Sequence, residues 1–269
     1  MQYDPIKKGL GNMFNRRLWM RKLFYRLLDL LLLRSWHIHR AVHLFARHKK
    51  SPFHVLDAGA GFGQYTYWLA RKYPHCEILA VDVKKDQVED CSRFFRKIGM
   101  NNVEFREADL TAFTSEQTFD LVLSVDVMEH ILEDVTVFQN LYRVMNPDGL
   151  LLISTPSDQG GSDVHDHGSE ESFIDEHVRD GYGIKEIRDK LMQAGFSRVE
   201  ADYSYGWPGK ISWKLSMKYP IMLLNASRLF YLILPFWYLV FYPVCWILNS
   251  FDVALRHRTG TGLIVKAWK

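Results

Sequence analysis

The chain of 269 residues is 48% hydrophobic and 24% charged, which excludes a disordered or fibrous protein. Its net charge of +3 hides an asymmetry: residues 1–50 carry twelve Lys/Arg against two Asp, a net of +10, so the other 219 residues sum to −7. Three cysteines, Cys76, Cys91 and Cys245, have no metal-ligand spacing and an odd count, which argues against a disulfide scaffold and suits a reducing, cytoplasmic setting.

Residues 12–34 read as an amphipathic helix, with Trp19, Leu23, Leu27, Leu30 and Leu31 in an apolar stripe and Arg17, Arg21, Lys22 and Arg26 largely outside it. Residues 35–48 continue in helical character, with His37, His39, His43 and His48 among apolar positions. Two readings fit this arm: a pair of cover helices on a sheet, and a helix in a membrane interface with basic residues toward lipid phosphates. The first apolar stretch is broken by Arg and Asp, unlike a secretory leader.

From residue 53 strands and helices alternate. Strands are predicted over 53–57, 76–82, 103–107, 119–124, 149–155, 198–203 and 262–268, with helices over 65–72, 85–98, 133–145 and 184–194. This spacing predicts an α/β fold: a Rossmann-like, seven-stranded, mostly parallel sheet, with an N-terminal helical extension and a hydrophobic helical insertion before the last strand. The domains expected are the basic extension 1–50, a core of 51–203 plus 259–269, and an aromatic-rich insertion 204–258.

Residues 229–248 of that insertion are uncharged over twenty positions, long enough to cross a bilayer. Pro235 and Pro243 should interrupt a straight helix there. A single crossing conflicts with a last strand that returns to the same sheet. A shallow hairpin, a re-entrant segment, a buried lid or a dimer surface does not.

The chemistry starts at the first strand's end. Val55-Leu56-Asp57-Ala58-Gly59-Ala60-Gly61-Phe62-Gly63 joins a buried strand, a carboxylate and three alternating glycines. The dinucleotide fingerprint is G-x-G-x-x-G, not the G-x-G-x-G found here, and Asp57 would oppose a pyrophosphate but suits a cationic or zwitterionic cofactor. No Lys follows the glycines, so the turn is not a P-loop. Asp82 ends the second strand twenty-one residues after Gly61, where a carboxylate can accept both ribose hydroxyls. Asp109 follows the third strand and can receive an adenine amino group.

Over roughly 53–203 and 262–268 the chain resembles the class I S-adenosylmethionine-dependent methyltransferases, near their small-molecule and quinone-pathway O-methyltransferases. Residues 55–63 look like the family's first motif, 119–124 like its fourth-strand motif, and Asn146-Pro147-Asp148-Gly149 like the turn before the fifth strand, with Asn where lysine is more usual. The resemblance implies S-adenosylmethionine as cofactor, held by Asp57, Gly59, Gly61, Gly63, Asp82, Val83, Asp109, Leu110 and Ser124.

Past the fourth strand stands Asp126-Val127-Met128-Glu129-His130, facing the expected sulfonium. His130 can take a phenolic proton as general base, or Glu129 and His130 can instead shape the pocket or hold a metal. A second cluster, Asp163 to His167 with Glu176 and His177, lies in a glycine-containing loop that can close over substrate; His177 falls in a segment that walls the acceptor pocket in this family. No metal is expected. The absence of an Asn-Pro-Pro-Tyr motif after the fourth strand, and the bulky Leu and Trp within the basic arm, argue against nucleic acid as partner. The expected acceptor is a hydrophobic or lipid-like small molecule, oxygen slightly preferred, with Trp207, Trp213, Tyr219, Phe230 and Trp237 as acceptor wall and peripheral membrane contact. A non-enzymatic scaffold on the same fold is the alternative.

Overall fold

The computed structural model describes residues 18–49, 52–160, 178–227 and 229–269. Two helices, α1 (Leu18–Leu31) and α2 (Leu33–His48), precede β1 (His54–Ala58). The alternation then runs α3 (Gln64–Lys72), β2 (Glu77–Asp82), α4 (Lys85–Lys97), β3 (Val103–Glu107), β4 (Phe119–Val125), α5 (Asp134–Arg143) and β5 (Met145–Pro156). After α6 (Ile184–Gln193) and β6 (Arg198–Ser204) come α7 (Trp207–Trp213), α8 (Tyr219–Ala226), α9 (Phe230–Ala254) and β7 (Gly262–Trp268).

The seven strands form one sheet in the order β3-β2-β1-β4-β5-β7-β6. β7 is antiparallel to both β5 and β6, and all other pairs are parallel. The order reverses between β1 and β4, and open α/β sheets bind ligands beyond the strand ends at such a crevice. The central strands read as continuous apolar runs because both faces are covered. Leu56, Val122 and Leu151 point into one layer with Phe138 and Leu141 of α5, while Val55, Leu121 and Leu152 meet Ile38 and Val42 of α2 in the other. The cover-helix expectation for the N-terminal arm therefore holds for α2.

The first helix departs from the expected pattern. Arg21, placed by periodicity outside the apolar stripe, is buried: its guanidinium donates to Asp90 (2.5 Å), the Phe62 carbonyl (3.0 Å) and Cys91 Sγ (3.1 Å). Tyr25, fully buried one turn on, donates its hydroxyl to the same carbonyl (2.5 Å). Arg21 thus clamps the glycine turn from behind, not a lipid surface. Its partners lie 69 and 41 residues away in sequence, beyond the reach of helical periodicity.

The insertion is an antiparallel helical hairpin. Outgoing α7, a five-residue π-helical segment Lys214–Lys218 and α8 are met by returning α9. Pro220 has no N–H for the carbonyl of Ser216; Tyr238 of α9 donates its hydroxyl to that oxygen (2.8 Å), and Trp237 Nε1 donates to the neighbouring Leu215 carbonyl (2.9 Å). Contrary to expectation, α9 stays helical over 25 residues with Pro235 and Pro243 inside it. The hairpin is not a buried lid: only 6% of the most apolar window of α9 is buried. Trp237 packs within the hairpin, and Trp207 is 66% exposed, so neither forms an enclosed acceptor wall.

Candidate active site

The glycine turn between β1 and α3 sits at the crevice. Gly59, Gly61 and Gly63 have φ of 89°, 54° and 81°, a region that disfavours side chains. At Gly59 the constraint is also steric, since a Cβ there would come within 2.3 Å of Val127 Cγ2 from the loop after β4. The two loops at the switch point therefore touch only because residue 59 lacks a side chain. Gly59 and Ala60 donate their N–H groups to the Val81 carbonyl (2.9 Å each), tying the turn to β2.

Asp82, at the end of β2, holds the turn from the other side. Its Oδ2 accepts from Gly61 N–H (2.8 Å) and Oδ1 from Lys84 N–H (2.9 Å). A carboxylate has about four lone-pair sites, so two remain for further donors. Val83 beside it is exposed. Asp57 is buried in β1, and Thr66 Oγ1 donates to it (2.5 Å). Burial pushes the Asp57 carboxyl up to about 6 against the Thr66 bond, with the Asp82 charge adding to the rise. A buried carboxylate with no ion-pair partner among the described residues is suited to a cationic ligand group.

Asp109 is exposed, and its Oδ1 accepts from both the N–H and the hydroxyl of Thr111 (2.8 Å each). It caps the short turn Leu110–Ala112, whose Leu110 is buried in the core. Both capping bonds fall on Oδ1. Ser124 is fully buried at the end of β4, and its Oγ has no hydrogen-bond partner among the described residues. An orphaned hydroxyl beside a positive-φ glycine cradle and two carboxylates fits a polar, positively charged nucleotide-like cofactor.

On the acceptor side, His130 is exposed on the short turn Met128–His130, while neighbouring Glu129 is buried and accepts from Thr155 Oγ1 (3.1 Å). Burial raises the Glu129 carboxyl. Glu129 is thus the buried member of the pair and His130 the exposed one. His177 and the 163–167 cluster lie outside the described residues. Among the described residues no group of three metal-ligating side chains occurs.

Sequence reasoning missed a set of residues that the added helices bring here. Arg34 of α2 pairs with Asp126, whose φ of 52° turns the loop after β4 toward it. The Arg34 N–H donates to the Tyr205 hydroxyl (3.2 Å), and Tyr65 of α3 meets Ser35 (3.3 Å). Burial raises both tyrosine hydroxyls, so each stays a neutral hydrogen-bonding group. The one sequence signal was the position of Tyr65, two residues after the last glycine.

A family model described as a methyltransferase domain matches residues 49–195, more than half of the chain. The chain is 30% identical over 150 residues to phosphoethanolamine N-methyltransferase 1 of Triticum aestivum, covering 55% of this chain and 29% of that enzyme. It is 24% identical over 162 residues to the malonyl-[acyl-carrier protein] O-methyltransferase of Paenibacillus sp., covering 57% and 59%. In structure it resembles phosphoethanolamine N-methyltransferase 2 of Haemonchus contortus, solved with phosphomonomethylethanolamine and S-adenosylhomocysteine, at a TM-score of 0.58, 16% identity and coverage of 90% and 59%. The chain thus spans less than two thirds of the length of these relatives. The family uses S-adenosylmethionine, and the chemistry of the glycine cradle, Asp82 and the orphaned Ser124 hydroxyl fits such a group. By sequence match over its core and by the 3-2-1-4-5-7-6 sheet, the chain belongs to the methyltransferase-domain family, with the fold of the class I S-adenosylmethionine-dependent enzymes.

Proposed function

We propose that this chain transfers a methyl group from S-adenosylmethionine to a hydrophobic, lipid-like small molecule at a membrane surface, with oxygen as the acceptor atom. The observation that carries the reading is the placement of the exposed apolar hairpin. Its root, through Tyr205 and Arg34, adjoins the loop after β4 beside the glycine cradle. An acceptor lying along the hairpin has a short path to the site.

When bound, the cofactor supplies an electrophilic methyl group on a sulfonium. The chain's own part is alignment and proton handling. Asp57 orients the methionine end against the glycine turn, Asp82 the ribose. His130 takes the proton of a phenolic acceptor. The site walls around Arg34, Tyr65 and Tyr205 set the acceptor's angle. Names of relatives such as the phosphoethanolamine N-methyltransferases favour a second reading, an amine acceptor, which needs the amine neutral at attack rather than a base.

Radiolabelled methyl transfer in detergent micelles, with matched prenylated phenol and amine acceptors, separates the two. Label in the phenol, with a kcat loss of about 10²–10⁴-fold in His130→Ala and unchanged cofactor affinity, supports oxygen and the base. Label only in the amine overturns oxygen. No transfer to any apolar acceptor overturns the reading.

The Asp57 carboxyl adds a pH signature with two opposite signs. Its folded value, about 6, lies above its ordinary 3.8, so the ligand-free protein takes up a proton between these values. Its contribution to stability is full below about pH 4 and lost as pH rises through about 6. Cofactor binding needs the carboxylate, so affinity falls as pH drops through about 6. Asp57→Asn should therefore flatten the pH dependence of affinity, and raise ligand-free stability by an amount that grows from about pH 4 and is complete above about pH 6. Calorimetric titrations and thermal melts from pH 4.5 to 8 measure both.

A further inference from the structure

Where the hairpin meets the N-terminal helices, α1, α2, α3 and the last turns of α9 enclose an open groove of about 1000 Å³. Four arginines line it: Arg26, Arg40, Arg47 and Arg71, all exposed. Among the described residues none of them has a carboxylate at ion-pair distance; Arg40 spends one donor on the Val253 carbonyl. The single acid in the lining, Asp29, already accepts from Gln64 (2.8 Å), and burial pushes its carboxyl up to about 6. Trp36 and Trp246 form an aromatic pair in the wall, with ring centroids 6.3 Å apart.

The groove is continuous with the apolar face of the hairpin. Leu232, Leu239 and Trp246 recur every seven residues, so they share one face of α9, and they are 73%, 74% and 53% exposed. That stripe runs from the hairpin tip into the groove. At 1.5 Å per residue, about 15 Å separate Phe236 from Trp246 and roughly 21 Å separate Leu232 from it. Half of a bilayer's hydrocarbon core is about 15 Å. A tip buried in one leaflet thus sets Trp246 and the arginines at headgroup depth, where tryptophan and arginine are favoured.

Charge distribution points the same way. The insertion 204–258 holds six Lys/Arg and one Asp, and that Asp252 is fully buried. With the +10 of residues 1–50, both additions are basic, while the core they attach to carries a net of −12. Cations gathered around an exposed apolar hairpin, on an otherwise acidic molecule, match an anionic lipid surface.

We infer that the hairpin inserts into a single leaflet of an anionic membrane and that the arginine groove at its root seats phospholipid phosphate headgroups. The inference deepens the membrane part of the proposed function and is independent of which atom is methylated. The tip supplies apolar burial, the groove supplies selectivity for charge, and the cofactor cleft is held at the interface.

The test is vesicle flotation of the full chain with phosphatidylcholine alone and with phosphatidylcholine containing phosphatidylglycerol. The expected result is at least tenfold tighter binding to the anionic vesicles, weakened by salt. The triple variant Arg26→Gln, Arg47→Gln and Arg71→Gln should lose about 100-fold on anionic vesicles while keeping its cofactor affinity, each cation near the surface being worth about fivefold. Leu232→Glu with Leu239→Glu should lose binding to both vesicle types. Absence of flotation on anionic vesicles, or an unchanged triple variant, overturns the inference. So does groove-dependent binding of a single-stranded RNA oligonucleotide that exceeds vesicle binding. Methyl transfer in micelles needs no bilayer, so its failure is read separately from failure to float.

Discussion

Asp82→Ala is expected to lower affinity for S-adenosylmethionine by at least 100-fold while leaving the fold intact. Two losses combine. The carboxylate accepts the N–H groups of Gly61 and Lys84, so it shapes the cradle in addition to its proposed role toward the ribose. Its two remaining acceptor sites are those that ribose hydroxyls would use. Hydrogen bonds to a charged group contribute about 1.5–3 kcal/mol each, so losing two costs about 3–6 kcal/mol, or two to four decades in affinity. Asp82 is half-buried at a strand end, and the freed N–H groups of Gly61 and Lys84 can reach water, so the stability loss should stay near 1–2 kcal/mol. Asp82→Asn keeps one oxygen acceptor and should fall between the two. Titration calorimetry with S-adenosylmethionine and S-adenosylhomocysteine measures the effect, and affinity within threefold of the unmutated chain would refute the assignment. Binding of NAD without binding of S-adenosylmethionine would place the chain outside its family's chemistry.

The parts of this molecule that were legible from sequence are those governed by local rules. Strand and helix periods placed all seven strands to within a few residues, because central strands are covered on both faces and show unbroken apolar runs. The glycine spacing identified a turn whose φ values do require glycine. What escaped detection depends on distant partners. Arg21 looks like a solvated cation in a helical stripe, yet Asp90 and the Phe62 carbonyl give it a buried seat. Pro235 and Pro243 read as helix breakers, but a helix can retain them when other contacts hold it, and Trp237 and Tyr238 pin α9 to the outgoing helical leg of the hairpin. Asp109 is the intermediate case: its place after β3 is legible in the sequence, whereas its bonds to Thr111 show a cap on the turn that follows.

Asp252 is the one acid in the insertion, and its substitution should have the largest effect on stability. It is fully buried near the C-terminal end of α9. His37 Nε2 of α2 donates to its Oδ1 (2.9 Å), His257 Nε2 stands 3.2 Å from its Oδ2, and the N–H groups of Tyr205 and Gly209 donate at 3.2 and 3.0 Å. One carboxylate therefore joins the N-terminal arm, both legs of the hairpin and the link to β7. The chain approaches closely enough that a Cβ on Gly209 would come within 2.6 Å of Asp252 Oδ2. Asp252→Ala leaves the His37 imidazole and two N–H groups without their acceptor in a site closed to water, while His257 Nε2 keeps the backbone carbonyl of residue 252 (2.9 Å). Removing one side of such a buried network costs about 3–5 kcal/mol, a large share of a domain's total stability. Asp252→Asn retains one acceptor oxygen and should cost less, about 1–3 kcal/mol. Urea unfolding of the three proteins tests the ranking, and limited proteolysis should cut Asp252→Ala first within 204–258, where the anchor is lost. An alanine variant within 1 kcal/mol of the unmutated chain would mean that the hairpin is held by its apolar contacts alone. In that case Trp237 and Tyr238, not Asp252, would be the residues that fix the hairpin beside the cofactor cleft.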